Sequence, residues 1–380
     1  MSEQGHVLLV GVSTRALAES AARAGYRVSA VDPFGDVDLR AAAQVSPLRP
    51  FGADRAARLA RSIPAGLVAY TSSLENHPAA VAALARGRRL LGNPAEVLER
   101  VRSPLQLARA VAEGGFPGPH TRASAPPDFR ALRRWLLKPR RSGGGHATAP
   151  WHRGRRVPRG AYLQERIAGP PGSIVFAADG QDITPLGLTR QLVGEPGFGA
   201  RGFRYCGSLL AGRGAALFTH QAELYRRAVE LARWLTRTFG LRGLNGIDFI
   251  ARDGVPFPIE VNPRYSASME LIERAGRSSL FRTHVDACAG RLGEAPTGAQ
   301  DVLGKAVVFA RHDVVVDDAA RWRLDLADIP HPGERIAAGR PICTVFARAR
   351  TARACRAALA TAADRVYRAT APRGRTAGAA

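Results

Sequence analysis

The chain has 380 residues, of which 46% are hydrophobic, enough for roughly two or three domains with cores of their own. The formal net charge is +23, but it comes from arginines scattered along the chain and only two lysines, Lys138 and Lys305, so we expect no specific nucleic-acid partner. The cysteines form no C-x-x-C pair, no signal-peptide pattern begins the chain, and no apolar run of about 18 residues occurs. These absences argue against a disulfide framework and a membrane span and predict a cytoplasmic protein.

The N-terminal segment indicates the start of a parallel α/β sheet. Apolar strands are predicted over His6–Val12, Tyr26–Val31 and Gly66–Tyr70, with a helix over residues 16–24 between the first two. This order is typical of a doubly wound sheet, whose ligands bind beyond the carboxyl ends of its strands. The polar run Thr71–Asn76 follows such an end, so it predicts either a substrate contact or an ordinary helix cap. The segment has no G-x-G-x-x-G motif, so it gives no indication of NAD binding.

The middle of the chain changes pattern near residue 120. Residues 94–114 are predicted to be helical, and the Gly/Pro-rich segment that follows marks a boundary. Beyond it, Trp135–Lys138 and Gly160–Gln164 have strand composition. Gln221–Phe239 is predicted to be an amphipathic helix, because its apolar residues recur at helical spacing.

A lysine directly precedes a run of three glycines. Lys138 ends a predicted strand, and Gly143, Gly144 and Gly145 follow within a few residues. Successive glycines let a loop fold over phosphates and present backbone N–H groups to them, while a lysine adds a compact positive charge. A glycine run alone could be a flexible turn. The lysine, in a chain that uses arginine almost everywhere, favours a nucleotide-phosphate site instead.

A hairpin further along carries three oxygen ligands. The Asp253-Gly254 pair predicts a tight turn between two apolar strands, and antiparallel pairing about it brings Asp248 close to Glu260. Asn262 lies on the same strand face as Glu260 because side chains alternate along a strand. Two carboxylates and an amide oxygen suit Mg²⁺, with Mn²⁺ as an alternative. The competing interpretation is a polar hairpin with solvated acids.

The hairpin and its sequel, Glu260-Val261-Asn262-Pro263-Arg264, resemble the metal-binding strands of the ATP-grasp superfamily. The resemblance extends in order from about Val7 to Tyr367. It implies an α/β fold with an N-terminal doubly wound parallel sheet, a two-lobed ATP-grasp domain and a small C-terminal β-rich segment. It also implies ATP as a cofactor.

The resemblance assigns further roles. Glu165 and Ile167 would contact adenine at the hinge between the lobes, Lys138 would contact phosphates, and Arg264 would face the substrate carboxylate or the acyl phosphate. Arg264 could instead be a salt-bridge partner of the acids. Two departures stand out: Pro170-Pro171-Gly172 replaces an acid that often holds the ribose, and Ser103-Pro104 stands where another ATP lysine is usual, so that a neighbouring arginine would have to replace it.

The same resemblance divides the chain into segments. We expect an N-terminal domain over residues 1–95, a linker helix over 96–125, ATP-grasp lobes over 126–295 and a β-rich subdomain over 300–368. The basic, small-residue tail, residues 369–380, is expected to be disordered.

The resemblance implies a ligase reaction between a small-molecule carboxylate and an amine. Whether the protein forms a homodimer is left open. The strings Gly11–Ser20 and Asp32–Asp38 resemble an ATP-grasp subgroup of methanogens and methylotrophs, which implies amino acids such as glutamate and one-carbon cofactors as substrates. The alternative within the class is a carboxylase resembling biotin carboxylase or the carboxyaminoimidazole synthases, which the segment 328–345 favours. The alternative from another class is a nucleic-acid-binding protein with a decayed ATP site.

Overall fold

The computed structural model describes residues 5–125, 135–152, 154–276, 278–295, 298–322 and 324–371. The predicted tail therefore lies outside the described residues from position 372 onward, and so does the start of the predicted ATP-grasp lobes, residues 126–134. Within the described ranges no helix combines the length and apolar character needed to cross a membrane.

The N-terminal domain is built on a parallel sheet with the order β3-β2-β1-β4-β5. Its strands are β1 (His6–Val10), β2 (Arg27–Asp32), β3 (Gln44–Pro47), β4 (Leu67–Tyr70) and β5 (Arg89–Leu91). Helices connect them: α1 (Arg15–Arg23), α2 (Val37–Ala42), α3 (Ala53–Leu59) and α4 (Pro78–Leu84). Because the order reverses at β1, helices cover both faces, and the doubly wound prediction is confirmed.

The helical prediction over residues 94–114 proves to be two helices, α5 (Ala95–Val101) and α6 (Pro104–Glu113). The break lies at Ser103, whose backbone is extended with φ −79° and ψ 112°. The cause is Pro104, because proline disfavours the helical conformation in the residue before it and is well accepted as the first residue of a new helix.

Two further sheets form the next part of the chain. The smaller has the order β6-β9-β7-β8 and consists of β6 (Thr121–Arg122), β7 (Trp135–Pro139), β8 (Ala149–Trp151) and β9 (Ala161–Glu165). The larger begins with β10 (Pro171–Asp179), β11 (Ile183–Val193), β12 (Tyr205–Leu210), β13 (Arg242–Arg252) and β14 (Val255–Asn262). The helices alongside are α7 (Gln221–Phe239), α8 (Met269–Gly276) and α9 (Leu280–Cys288).

The C-terminal strands extend the larger sheet across the predicted boundary at residue 300. They are β15 (Val302–Phe309), β16 (Val314–Val315), β17 (Leu326–Ala327), β18 (Arg335–Ile336) and β19 (Pro341–Ala349), followed by helix α10 (Ala352–Ala369). The full order is β14-β13-β10-β11-β12-β15-β19-β17, with β16 and β18 forming a separate pair. The β12–β15 pairing is antiparallel and continuous, so β15, β17 and β19 share one sheet with the β13–β14 hairpin.

Strand β10 shows why the larger sheet is apolar on both faces. Ile174 and Phe176 belong to the core under α7, whereas Val175 and Ala177 belong to the core shared with α8 and α9. Alternating side chains point to opposite faces of a strand. A sheet that is covered on both sides therefore requires an unbroken apolar run, which residues 174–178 supply.

A buried charge cluster fixes the N-terminal domain on the larger sheet. Arg15 of α1 is 1% exposed and forms a bidentate pair with Glu270 of α8, and it also donates to Asp328 at 3.1 Å. Lys305 of β15 donates to the same Glu270 at 2.6 Å. The two cations hold the pKa of Glu270 well below its ordinary value, although burial would raise it. Removing one partner would leave a buried charge unpaired, which is strongly destabilising.

Candidate active site

A cavity of about 1230 Å³ lies between the smaller and larger sheets. It brings together nearly all of the residues that the sequence singled out for nucleotide and metal: Lys138, Gly143, Gly144, Gly145, Glu165, Ile167, Asp248, Glu260 and Asn262. One face of α10 also lines it, through Ala352, Arg353, Arg356, Ala357 and Ala360. A cavity of this size accommodates a nucleotide together with a small substrate.

The glycine loop is held against the start of β12. The amide of Tyr205 donates to the carbonyl oxygen of Gly144 at 3.0 Å. Gly145 has φ +74°, and a Cβ there would lie 1.8 Å from the carbonyl oxygen of Phe203. Only glycine is compatible with this close approach and this left-handed backbone. At Gly143, by contrast, a Cβ would have no neighbour within 4 Å.

Lys138 lies on β7 at the mouth of this loop. Its ammonium donates to Oε1 of Gln164 on the paired strand β9 at 3.0 Å. An ammonium has three donors. Among the described residues no other hydrogen bond from the Lys138 ammonium is found, so its remaining donors are available for a phosphate in the cavity.

Strand β9 of the smaller sheet ends at Glu165, which the sequence predicted to lie at the hinge. Its backbone amide donates to the carbonyl of His120 at 2.8 Å, and its carboxylate accepts from the amide of His120 at 3.2 Å. Glu165, Arg166 and Ile167 then line the cavity as the chain leaves β9 for the larger sheet. The crossing places the carboxylate of Glu165 near the backbone groups of Arg166 and Ile167 beyond the end of β9, and an adenine edge can match such donors and acceptors.

The predicted hairpin pairing is present. Asp248 of β13 lies opposite Glu260 of β14, and Gly246 lies opposite Asn262. The Nδ2 of Asn262 donates to Oδ2 of Asp248 at 3.0 Å, so the amide is oriented by the acid. Asn262 is 6% exposed, which places this polar group inside the cavity wall rather than on the outer surface.

Comparisons with known proteins bear on this geometry. Residues 102–268 match the model of the ATP-grasp domain family. Residues 102–268 form an ATP-grasp domain. A stretch of 140 residues is 26% identical to the uncharacterized protein MJ0776 of Methanocaldococcus jannaschii, and it covers 37% of this chain and 35% of that protein. The chain thus spans about a third of the length of that curated relative.

Solved structures extend the likeness to the whole fold. An N5-carboxyaminoimidazole ribonucleotide synthetase in complex with ADP is 16% identical with a TM-score of 0.73, covering 97% of this chain and 98% of that one. The enzyme of the same name from Thermus thermophilus is 18% identical with a TM-score of 0.68, covering 97% and 99%. The biotin carboxylase domain of the Hydrogenobacter thermophilus 2-oxoglutarate carboxylase is 13% identical with a TM-score of 0.69, covering 91% and 86%. The predicted fold class is therefore confirmed.

The two carboxylates of the ATP-grasp domain differ in electrostatics. Burial, together with repulsion from Glu260, raises the pKa of Asp248 above its ordinary value, and the hydrogen bond from Asn262 offsets only part of this. Burial would also raise the pKa of Glu260, but the charges of Arg102, Lys138 and Arg264 lower it below its ordinary value. Glu260 is thus held as a carboxylate, and Asp248 gains most from an added cation.

The donor set fits a magnesium ion bound with a nucleotide. Within the described ranges no group of three or more His, Cys, Asp or Glu residues is placed to hold a metal on its own. Asp248 and Glu260 provide two carboxylates facing one cavity, and Mg²⁺ usually takes one or two carboxylates and completes its shell with water and phosphates. The Oδ1 of Asn262 accepts from Arg264 at 3.2 Å, and an amide oxygen has a second lone pair that could ligate a metal.

Arg264 is the predicted site residue that does not line the cavity. Its guanidinium donates to Oε1 of Glu75 at 3.0 and 2.8 Å, and Glu75 is fully buried in the N-terminal domain. The sequence offered the hairpin acids as the salt-bridge alternative, whereas the observed partner comes from a different domain. The second oxygen of Glu75, Oε2, is buried without a hydrogen-bond partner in the described part of the chain. The predicted catalytic role of Arg264 stays a prediction.

Two contributions to the site were not assigned from the sequence. Arg102, at the end of α5, donates to Oε1 of Glu260 at 2.6 Å. The sequence pointed to an arginine near the replaced lysine but did not say which, and only the fold reveals that this one reaches Glu260, a predicted metal ligand. Arg356 of α10 lines the cavity and pairs with Glu195 at 2.9 Å. No local motif marks Arg356, and its helix α10 is distant in sequence from the ATP-grasp domain.

Proposed function

We propose that this protein is an ATP- and Mg²⁺-dependent ligase that activates a small-molecule carboxylate as an acyl phosphate and joins it to an amine. The observation that carries the proposal is the single cavity in which Lys138, the glycine loop, Glu165 and the carboxylates of Asp248 and Glu260 meet. Each belongs to a different element, so their convergence is a property of the fold. Phosphoryl transfer requires this combination of phosphate donors and metal carboxylates.

The residues divide the work by their chemistry. Glu165 and the backbone at Ile167 would bind the adenine, and the N–H groups of the glycine loop with Lys138 would hold the phosphates. Asp248 and Glu260 would hold Mg²⁺, which neutralises charge on the transferring phosphoryl group. Arg264, oriented by Glu75, would meet the substrate carboxylate if substrate binding opens the path to it.

The lining of the cavity supports an acyl-phosphate reaction. An acyl phosphate hydrolyses if water reaches it, so a ligase must keep its intermediate away from solvent. The glycine loop and α10 both line the cavity and would limit the access of water to a bound intermediate. The amine would then attack the carbonyl carbon of the acyl phosphate, and inorganic phosphate would leave.

For the substrates we propose an amino acid such as glutamate as one partner and a precursor of a one-carbon cofactor as the other. The support is the resemblance of Gly11–Ser20 and Asp32–Asp38 to the corresponding subgroup. In the structure the first string contains Thr14, whose amide and hydroxyl both bind Asp32 at 2.7 and 2.9 Å. The two strings therefore form one connected edge of the parallel sheet, where ligands of such sheets bind.

The second candidate is an ATP-dependent carboxylation with bicarbonate in place of the amine reaction. Its support is that solved structures of N5-carboxyaminoimidazole ribonucleotide synthetases match nearly the whole chain, including the C-terminal strands β15 and β19. Because those likenesses are below 25% identity, they support the fold and leave the acceptor open.

One experiment separates these candidates. Purified protein with Mg²⁺ and ATP is given either a carboxylate panel with amino acids or bicarbonate without amine, and phosphate release is followed by product mass analysis. We expect release that requires both carboxylate and amine, with an amide-bonded product, and its loss in Lys138→Ala. Bicarbonate-stimulated release without amine would favour the carboxylase. No nucleotide binding, together with nucleic-acid binding that survives Lys138→Ala and weakens steeply with salt, would refute both.

A further inference from the structure

The turn Leu74–Asn76 connects the N-terminal sheet to the metal hairpin. It follows β4 after residues 71–73, and neither this turn nor α4 after it has a side-chain cap. Both acidic and amide side chains of the turn instead point across the domain boundary: Glu75 accepts from Arg264, and Asn76 accepts from Arg102. The cap interpretation of Thr71–Asn76 therefore does not account for these residues.

Arg102 uses every donor that its guanidinium has. Nε and Nη2 donate to Oδ1 of Asn76 at 3.2 and 2.9 Å, and Nη2 also donates to the carbonyl of Ser142 at 3.2 Å. Nη1 donates to Oε1 of Glu260 at 2.6 Å and to the carbonyl of Val261 at 2.8 Å. An arginine side chain has five N–H groups, and all five are engaged here by protein acceptors.

These contacts span the parts that the proposed reaction must align. Ser142 begins the glycine loop, Glu260 is a metal carboxylate, and Asn76 belongs to the N-terminal domain. The side chain of Arg102 is 11% exposed and lies between all three. Since one oxygen of Glu260 is fixed by Arg102, the other is left to face the cavity and a cation bound there.

We propose that Asn76 and Arg102 are positioning residues: Asn76 orients the guanidinium of Arg102, and Arg102 sets the position of Glu260 relative to the glycine loop, so that the N-terminal domain completes the Mg·ATP site. This inference rests on the proposed function. It also assigns Arg102 a different role from the missing lysine, because its donors are spent on the protein while Lys138 keeps donors for phosphate.

A second link runs in parallel and strengthens the connection. Arg264 donates to Glu75 of the turn and to Oδ1 of Asn262 of the hairpin. Two adjacent residues of one turn thus reach two of the predicted metal ligands through two arginines whose side chains are each 11% exposed. A shift of this turn, which lies at the ligand-binding end of β4, would move both Glu260 and Asn262.

The test measures how strongly Mg²⁺ improves ATP binding. The dissociation constant of ATP is determined by titration calorimetry with Mg²⁺ and with EDTA, and the ratio of the two is compared among variants. Arg102→Lys keeps the charge but loses the fork geometry, Asn76→Ala removes the acceptor, and Asn76→Asp keeps an acceptor. The matched control is Arg109→Lys on α6, whose parent side chain is 81% exposed and pairs with Glu113. Thermal midpoints check the fold of each variant.

We expect the ratio to fall about tenfold in Arg102→Lys and about threefold in Asn76→Ala, since losing a partner that orients a metal ligand typically weakens metal affinity by about 10- to 100-fold. ATP binding in EDTA should stay within about threefold of wild type, because the adenine and phosphate contacts remain. The double variant should resemble Arg102→Lys, since both changes break one link. Asn76→Asp and Arg109→Lys should keep the wild-type ratio.

Three results would overturn the inference. An unchanged ratio in Arg102→Lys and Asn76→Ala would remove the positioning role. An equal loss of affinity with and without Mg²⁺ would make Arg102 a phosphate contact. Additive effects in the double variant would show that Asn76 and Arg102 act independently and not through one link. If wild-type protein itself fails to bind Mg·ATP, the proposed function fails instead, so the two failures are distinguishable.

Discussion

The glycine loop allows a graded test, because its three glycines differ in what a methyl group would meet. At Gly143 an added Cβ meets nothing within 4 Å, at Gly144 it meets only the ring of His146 at 3.6 Å, and at Gly145 it lies 1.8 Å from the carbonyl oxygen of Phe203. Gly144 and Gly145 also have positive φ, +61° and +74°. Alanine substitutions should therefore be increasingly harmful in the order 143, 144, 145.

The magnitudes follow from these contacts. Gly143→Ala adds no strain and should leave ATP affinity within about twofold. Gly144→Ala adds the left-handed penalty of roughly 1 kcal/mol, which corresponds to a loss of affinity of about fivefold if the loop relaxes when empty. Gly145→Ala adds the same penalty and must separate the loop from Phe203, breaking the Tyr205–Gly144 hydrogen bond worth about 1 kcal/mol. The sum of about 2 kcal/mol or more predicts a loss of at least about 30-fold.

Titration calorimetry with Mg·ATP measures the affinities, and thermal unfolding of the same samples separates local from global effects. The ranking should appear in affinity while the thermal midpoints stay close, because the loop lies at the cavity rim and outside the main cores. Equal affinity of the Gly143→Ala and Gly145→Ala proteins would refute the assignment of this loop to phosphate binding.

Other predictions address the carboxylates. Asp248→Asn and Glu260→Gln should each fold normally yet lose at least about 100-fold in turnover, since the metal would no longer be held; turnover of both within a few-fold of wild type in the phosphate-release assay would contradict the metal assignment. Asp36, before α2, is 8% exposed, and burial together with Asp328 and other acids raises its pKa to about 8. In the folded protein Asp36 then keeps its proton up to about pH 8, whereas in the unfolded chain it loses that proton above about pH 4. Asp36 therefore lowers the free energy of unfolding as the pH rises from about 4 to about 8, by at most about 1.4 kcal/mol per pH unit. Asp36→Asn should therefore stabilise the protein more at pH 7.5 than at pH 5 in urea unfolding, and an equal effect at both pH values would contradict the shift.

Local sequence determined the parts of the site that depend on short-range chemistry. The Asp253-Gly254 turn and the alternation of the flanking strands were sufficient to predict the pairing of Asp248 with Glu260, because a tight turn sets the register of a hairpin. Helix α7 was predicted with its observed bounds from its apolar spacing. Lys138 and the three glycines were recognisable because their chemistry is unusual within this arginine-rich chain.

Tertiary structure decided which distant residues complete the site. Arg102 reaches Glu260 across 158 positions and Arg264 reaches Glu75 across 189, and no pattern within a short window records such a contact. The chain contains many arginines of equal local character, so sequence could not select these two from the others. The same holds for the C-terminal strands: the family resemblance predicted a β-rich segment there, but only the backbone pairing of β12 with β15 joined it to the larger sheet. Pairing partners and buried ion pairs depend on where the chain returns in space, and that is set by the packing of the whole fold.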